Sequence, residues 1–119
     1  MKLPHLEPIL FAKEVLFCDE NIAKVRCVFS SLPTLAMMVE ASAQASSAFS
    51  TSSSVDIGFL VLVKDTVLLK KSDQLSFVVC VSKGISLGNS REFYFEVFEE
   101  EVCIKKIASG AFMLVLKET

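Results

Sequence analysis

The chain has 119 residues, a formal net charge of −2 at pH 7 and a hydrophobic fraction of 52%. A balance so close to neutral excludes an electrostatic basis for nucleic-acid binding, so no nucleic-acid partner is predicted. The length fits a single domain, residues 1–119, with room for a sizeable core. The hydrophobic excess predicts apolar surface that is buried between subunits or that lines a channel for an apolar ligand.

The first eight residues contain two prolines, a histidine and a glutamate, where a signal peptide would need an apolar stretch. We therefore expect no targeting segment, a cytoplasmic protein and no membrane contact. The same segment holds the only histidine, His5. A lone histidine in an N-terminal turn is more often structural than catalytic, so we assign it no catalytic role.

The four cysteines form no Cys-x-x-Cys pair, and one histidine is too few to complete a zinc site with them. In a cytoplasmic chain we expect free, mostly buried thiols that pack as small apolar residues. No metal ion and no other cofactor is predicted. The cysteines are Cys18, Cys27, Cys80 and Cys103.

Seven segments have the alternation, or the β-branched and aromatic content, of strands. Residues 57–69 are apolar almost throughout and broken at Lys64-Asp65, which predicts strands that are bent or covered on both faces. In the last segment, Gly110 predicts a bulge or a close approach by another group. Residues 83–89 are predicted as a loop. The predicted strands are residues 9–17, 22–29, 57–63, 66–69, 74–82, 91–98 and 102–116.

A helix is predicted over residues 34–49, which are rich in alanine, methionine and other helix-forming residues. Glu40 is the only formally charged side chain between Arg26 and Asp56. Because no face of the helix is charged, we expect a central helix with protein on most sides. A carboxylate there is costly unless it is hydrogen-bonded, paired or partly wet, which makes Glu40 a candidate functional residue. The alternative is a glutamate that points into solvent through a gap in the helix's cover.

One helix against a long run of antiparallel strands is an α+β arrangement. This order of elements, together with three motifs, resembles that of hotdog-fold proteins. The closest resemblance is to the 3-hydroxyacyl-acyl-carrier-protein dehydratases. Residues 3–10 resemble the opening Leu-Pro-His-x-x-Pro-x-Leu segment of that family, and residues 72–75 occupy the place of its Gly-Asp turn. Residues 39–45 resemble the helix motif in which Glu-Ala-x-Ala-Gln carries the catalytic acid. The resemblance implies a curved antiparallel sheet of five to seven strands wrapped around one central helix.

The sequence departs from this family where a His-x-Pro-Gly loop carries the catalytic histidine between the second strand and the helix. Here residues 27–33 join the two directly, without a histidine. Some hotdog thioesterases use a single helix carboxylate, and the resemblance assigns this role to Glu40 as base or nucleophile. It implies substrate contacts through the N–H groups of Leu35 and Ala36, through Gln44, which would orient the carboxylate or a water, and at Gly58.

The resemblance leaves three functions open. The first is a thioesterase that hydrolyses an acyl thioester carried by CoA or by an acyl carrier protein, with Glu40 in the active site. The second is a non-catalytic dehydratase-like protein that binds acyl chains, and the third is a vestigial dehydratase. Hotdog proteins pair their sheets, so a homodimer or a higher homo-oligomer is also expected.

Overall fold

Six antiparallel strands and one helix make up the described part of the chain, which in this computed structural model covers residues 10–49, 57–99 and 105–117. The strands form one sheet in the order β1-β2-β4-β5-β6-β3. The α+β class and the curved antiparallel sheet around one helix that the sequence predicts are confirmed. The elements are β1 (Ala12–Cys18), β2 (Ile22–Val28), α1 (Leu35–Ala45, followed by a 3₁₀ turn at Ser46–Phe49), β3 (Ile57–Leu68), β4 (Ser76–Leu87), β5 (Ser90–Glu99) and β6 (Lys106–Lys117).

The core lies between α1 and one side of the sheet, which we call the helix-facing side. In β5 the alternation is regular, with Phe93, Phe95 and Val97 buried while Tyr94 is exposed. Phe95 and Val97 pair in register with the buried Val81 and Val79 of β4, so these side chains share the helix-facing side. The fully buried large side chains of the strands and of the β2–α1 connection are Val25, Phe29, Phe77, Val79, Val81, Phe95, Val97, Ile107 and Phe112.

Helix α1 begins at a capping box: the Thr34 hydroxyl accepts a hydrogen bond from the Met37 N–H, and the Met37 sulfur accepts one from the Thr34 N–H. Its inner face, with Met38, Ala41 and Ala45, is buried against the sheet. Of the eleven residues of α1, only Ala36 and Glu40 are exposed, both on the outer side, so the helix has protein on most sides as expected. Glu40 lies in the gap in this cover, which is the position that the alternative interpretation predicted.

Strand β3 differs from the prediction of two covered strands. It is one strand at an edge of the sheet, paired only to β6 among the described strands, and most of its large apolar side chains are exposed. The predicted break at Lys64-Asp65 is a bulge within it: the register shifts between Lys64 and Val67, and Asp65 adopts a left-handed conformation with φ of 54°. Of the two predicted alternatives, the bent strand is the one observed.

Residues 83–87, predicted as loop, are the second half of β4, and the turn to β5 is at Gly88-Asn89, where Gly88 has φ of 57°. The two-residue turn is short because the register of β4 on β5 continues to the pair Leu87 and Ser90. The close approach predicted at Gly110 is confirmed, since a Cβ there would lie 2.6 Å from the Thr66 hydroxyl and 2.9 Å from the Phe95 ring. His5 and Cys103 lie outside the described residues.

Candidate functional site

Glu40 lies on the outer side of α1, one turn after Ala36, and its side chain is exposed in the single chain. Leu35 and Ala36 are the first two residues of the helix, where backbone N–H groups have no acceptor within the helix. The Thr34 hydroxyl accepts from the N–H of Met37, and the Thr34 carbonyl accepts from that of Met38. The structure therefore places a solvent-accessible carboxylate one helical turn along α1 from the first-turn N–H donors.

Gln44 has a structural contact that the sequence does not reveal. Its side-chain oxygen accepts hydrogen bonds from the backbone N–H groups of Phe11, at 2.8 Å, and Ala12, at 3.2 Å. Both donors lie at the start of β1, on the edge of the sheet opposite β3. The side chain thus ties the last full turn of α1 to the first strand, and its predicted contact with Glu40 or a substrate stays a prediction.

The connection from β2 to α1, residues 29–34, is short and is anchored in the core by its first residue, while most of the others are exposed. Phe29 is buried, and its N–H donates to the Leu75 carbonyl at 2.9 Å. Its ring lies 4.7 Å from that of Phe11 and 5.7 Å from that of Phe77, centroid to centroid. No histidine occurs within residues 10–49, 57–99 or 105–117, so in the described structure Glu40 has no imidazole partner.

Gly58, the last of the predicted substrate contacts, lies in β3 and pairs with Leu116 of β6. The structure thus distributes the predicted site residues over two elements, with Leu35, Ala36, Glu40 and Gln44 on α1 and Gly58 at the beginning of the edge strand.

An ionic cluster centred on the buried Glu92 lies on the side of the sheet away from the helix, and no sequence pattern predicted it. Glu92 in β5 is only 6% exposed, and its carboxylate contacts the ammonium group of Lys64 at 2.7 Å. The same carboxylate accepts hydrogen bonds from the Tyr94 hydroxyl, at 3.0 Å, and from the Ile85 N–H, at 3.4 Å. Gly84 leaves room for it, since a Cβ there would lie 2.7 Å from its oxygen.

This arrangement sets the protonation states within the cluster. The hydrogen bond from Lys64, with smaller contributions from Tyr94 and Ile85, lowers the pKa of Glu92. The same contacts with Glu92 raise the pKa of Lys64 and of Tyr94. In the sequence these residues have the period-two spacing of ordinary solvent-facing positions, so no local signal could identify the cluster.

The described cysteines are free, as expected, but only one of the three is fully buried, which differs from the expectation of mostly buried thiols. Cys27 is fully buried, and burial raises the pKa of its thiol to about 12. Cys80 is half-buried, and its pKa is raised for the same main reason. Cys18 is exposed, because it ends the edge strand β1, and its thiol contacts the Ala48 carbonyl at 3.4 Å.

Comparison with known proteins gives a structural likeness without a sequence match. No protein-family model matches the chain, and no curated protein matches its sequence. Among solved structures, the chain is similar to Cj0977, a sigma28-regulated virulence protein from Campylobacter jejuni, with a TM-score of 0.70 at 14% identity, over 98% of this chain and 91% of that one. It is also similar to the dehydratase heterocomplex ApeI:P from Xenorhabdus doucetiae, with a TM-score of 0.71 at 14% identity, over 98% and 89% of the two chains.

The likeness defines the class of fold. One helix packed on a curved, six-stranded antiparallel sheet is the hotdog-like arrangement that these neighbours share. At 14% identity the likeness shows the fold alone. None of the helices in the described residues is long and apolar enough to cross a membrane.

Proposed function

We propose that this chain binds an acyl thioester, linked to CoA or to an acyl carrier protein, and hydrolyses it with Glu40. The observation that carries the proposal is the accessible Glu40 carboxylate on the outer side of α1, one turn from first-turn N–H donors. The resemblance of residues 39–45 to a catalytic helix motif and the hotdog-like fold support the same residue.

The proposed chemistry needs only these groups. As a base, Glu40 removes a proton from a water that attacks the thioester carbonyl, and then passes this proton to the thiolate that leaves. As a nucleophile, it attacks the carbonyl itself and displaces the thiolate, which takes a proton from solvent, and water then hydrolyses the resulting mixed anhydride to release the acid and restore the carboxylate. In both routes the N–H groups of Leu35 and Ala36 stabilise the negative charge that develops on the carbonyl oxygen. Gln44 and Gly58 are the remaining proposed substrate contacts.

A screen of acyl-CoA substrates of different chain lengths, followed chromatographically to avoid interference from protein thiols, tests this activity. Glu40→Gln should reduce kcat/KM by roughly 10²- to 10⁴-fold, the usual contribution of a positioned general base. The matched control is Glu14→Gln, which changes another exposed glutamate, on β1. Full activity in Glu40→Gln would show that the catalytic assignment is wrong.

A second candidate function is binding of acyl chains without turnover, as in a dehydratase relative that has lost its catalytic loop. The short β2–α1 connection favours it, because only residues 29–34 lie between the two elements and none of them is a histidine. Calorimetric binding of acyl-CoA without hydrolysis by the wild-type protein would support this function over the first. Dehydration of a 3-hydroxyacyl thioester that depends on Glu40 alone would support a vestigial dehydratase.

We further propose that the chain works as a homodimer joined along β3. This edge strand exposes a row of large apolar side chains that a soluble chain normally covers. A second copy of the chain can cover this edge, because the β3 strands of two copies related by a two-fold axis pair with each other in an antiparallel arrangement. The exposed residues are Leu60, Val61, Leu62, Val63, Val67 and Leu68.

A further inference from the structure

The ion pair between Lys64 and Glu92 fixes the middle of the β3 edge. Ala111 of β6 pairs with Lys64 on one side and with Tyr94 on the other, so the contact from Lys64 to Glu92 spans the whole width of β6. Ala111 is buried beneath it. The edge strand is therefore tied to β5 as well as hydrogen-bonded to β6.

Directly after Lys64 the register of β3 on β6 shifts. Between the pairs Lys64–Ala111 and Val67–Ser109, β3 advances three residues while β6 advances two, which is a one-residue bulge. Asp65 within it is the only described non-glycine residue with a positive φ, so the other register shift of β3, at Val61, keeps an ordinary negative φ. Both register shifts bend β3 and increase its twist. The one at Asp65 differs from the other in its left-handed residue and in lying at the end of the uncharged residues 57–63.

The two parts of the edge also differ in charge. Residues 57–63 carry no charged side chain, and Lys64 is neutralised by Glu92. A second copy that aligned this part with itself would therefore bring no unpaired charge to the contact. Asp65 is exposed and begins the second part, and the opposite edge of the sheet, β1, carries the exposed Lys13 and Glu14.

We infer that the bulge at Asp65, braced by the Lys64–Glu92 ion pair, ends the part of β3 that a second copy pairs with. The two copies then join through residues 57–64, and residues 67–69 stay outside the strand pairing. Glu92 is a positioning residue for this interface: it acts through Lys64 and makes no contact with the partner. The inference rests on the proposed homodimer.

Hydrogen exchange, measured above and below the concentration at which dimers dissociate, tests the boundary. Backbone amides in residues 57–64 should gain protection on dimerisation, whereas those of residues 67–69 should not. Concentration-dependent protection of residues 67–69 equal to that of residues 57–64 would overturn the inference and leave the homodimer intact. A monomeric wild-type protein would remove both proposals.

Two sets of variants test the roles of the Lys64–Glu92 ion pair and of the bulge. The dimer dissociation constant of each variant is measured by analytical ultracentrifugation. Glu92→Gln should raise the dimer dissociation constant at least about tenfold. The control Glu96→Gln breaks a similar ion pair, with Lys106, between β5 and β6, and should change it less than about twofold. Asp65→Gly, which adopts φ of 54° freely, should keep the dimer, and Asp65→Val should weaken it.

The two Asp65 variants test the inference independently if Glu92→Gln does not fold. Asp65→Val should weaken the dimer while circular dichroism shows a folded monomer, and Asp65→Gly restores the backbone conformation without the carboxylate. An unchanged dissociation constant in folded Glu92→Gln, or in folded Asp65→Val, would overturn the inference.

Discussion

The ammonium group of Lys64 in β3 lies 2.7 Å from the carboxylate of Glu92 in β5, across the full width of β6. Hydrogen bonds from Lys64, Tyr94 and the Ile85 N–H favour the ionised form of this carboxyl group. Its pKa in the folded chain is therefore below the ordinary glutamate value of 4.5. A carboxyl group with a lowered pKa stabilises the folded state above its unfolded pKa, and this stabilisation is lost as the pH falls through the folded value.

Wild-type protein should accordingly exceed Glu92→Gln in free energy of unfolding near pH 6, and the difference should shrink below about pH 4.5. Urea unfolding at fixed protein concentration and several pH values measures it. A difference that is constant from pH 6 to pH 3 would show that the ionised Glu92 does not contribute as described.

Tyr94 offers a direct probe of the same cluster, because it is the only tyrosine in the chain. Its hydroxyl donates to Glu92, which raises the pKa of the phenol above 10, chiefly through that hydrogen bond. A spectrophotometric titration should therefore give a phenol pKa above 10 in the wild type and a lower one in Glu92→Gln. Identical titrations of the two proteins would contradict this geometry.

Gln44 should be needed for stability. Its side-chain oxygen accepts from the N–H groups of Phe11 and Ala12, and Gln44→Leu would leave both donors without this acceptor. We expect a loss of about 1–3 kcal/mol in the free energy of unfolding. Ser47→Ala, at an exposed position on the same helical segment, is the control and should change it by less than about 0.5 kcal/mol. Unaltered stability in Gln44→Leu would show that these two hydrogen bonds do not contribute to the free energy of unfolding.

The proposed dimer can be tested with one substitution on each edge of the sheet. Val61 on β3 and Val15 on β1 are 55% and 54% exposed. A lysine on an edge strand opposes pairing with another strand. Val61→Lys should give a folded monomer, whereas Val15→Lys should leave the dimer intact, as measured by light scattering. Dissociation by Val15→Lys but not by Val61→Lys would place the interface on β1.

Thiol reactivity should follow burial. In a Cys103→Ser background, the exposed Cys18 should react first with a thiol reagent at neutral pH, and Cys80 more slowly. Cys27, with its thiol pKa raised to about 12 and no solvent access, should react only on unfolding. Cys18→Ser removes the fast phase if this order is right. Fast labelling of Cys27 in the native protein would contradict the described core.

Local sequence patterns were enough for most of the elements. The alternation of Phe93, Phe95 and Val97 with polar residues determined β5 and its buried side, and the Ala-rich stretch determined α1 around Glu40. Both patterns are periodic and local, so they predict an element without any knowledge of the strands beside it. The second half of β4 was missed because the glycine, serine and lysine of residues 83–88 resemble a loop, and pairing with β5 overrides that preference.

The tertiary structure alone decided how exposed each candidate residue is. An apolar run such as residues 57–63 is typical of a strand that is covered on both faces. In the structure it belongs to the edge strand β3 and is largely exposed. The sequence could not predict this, because the periodicity of a segment carries no information on which strands become its neighbours. The strand order also brings Lys64 to Glu92, which are 28 positions apart in the chain and separated by β6 in the sheet. The sequence by itself marked Glu40 as the isolated charge of the helix, but its exposure and the engagement of Gln44 with β1 depend on how the helix lies on the sheet.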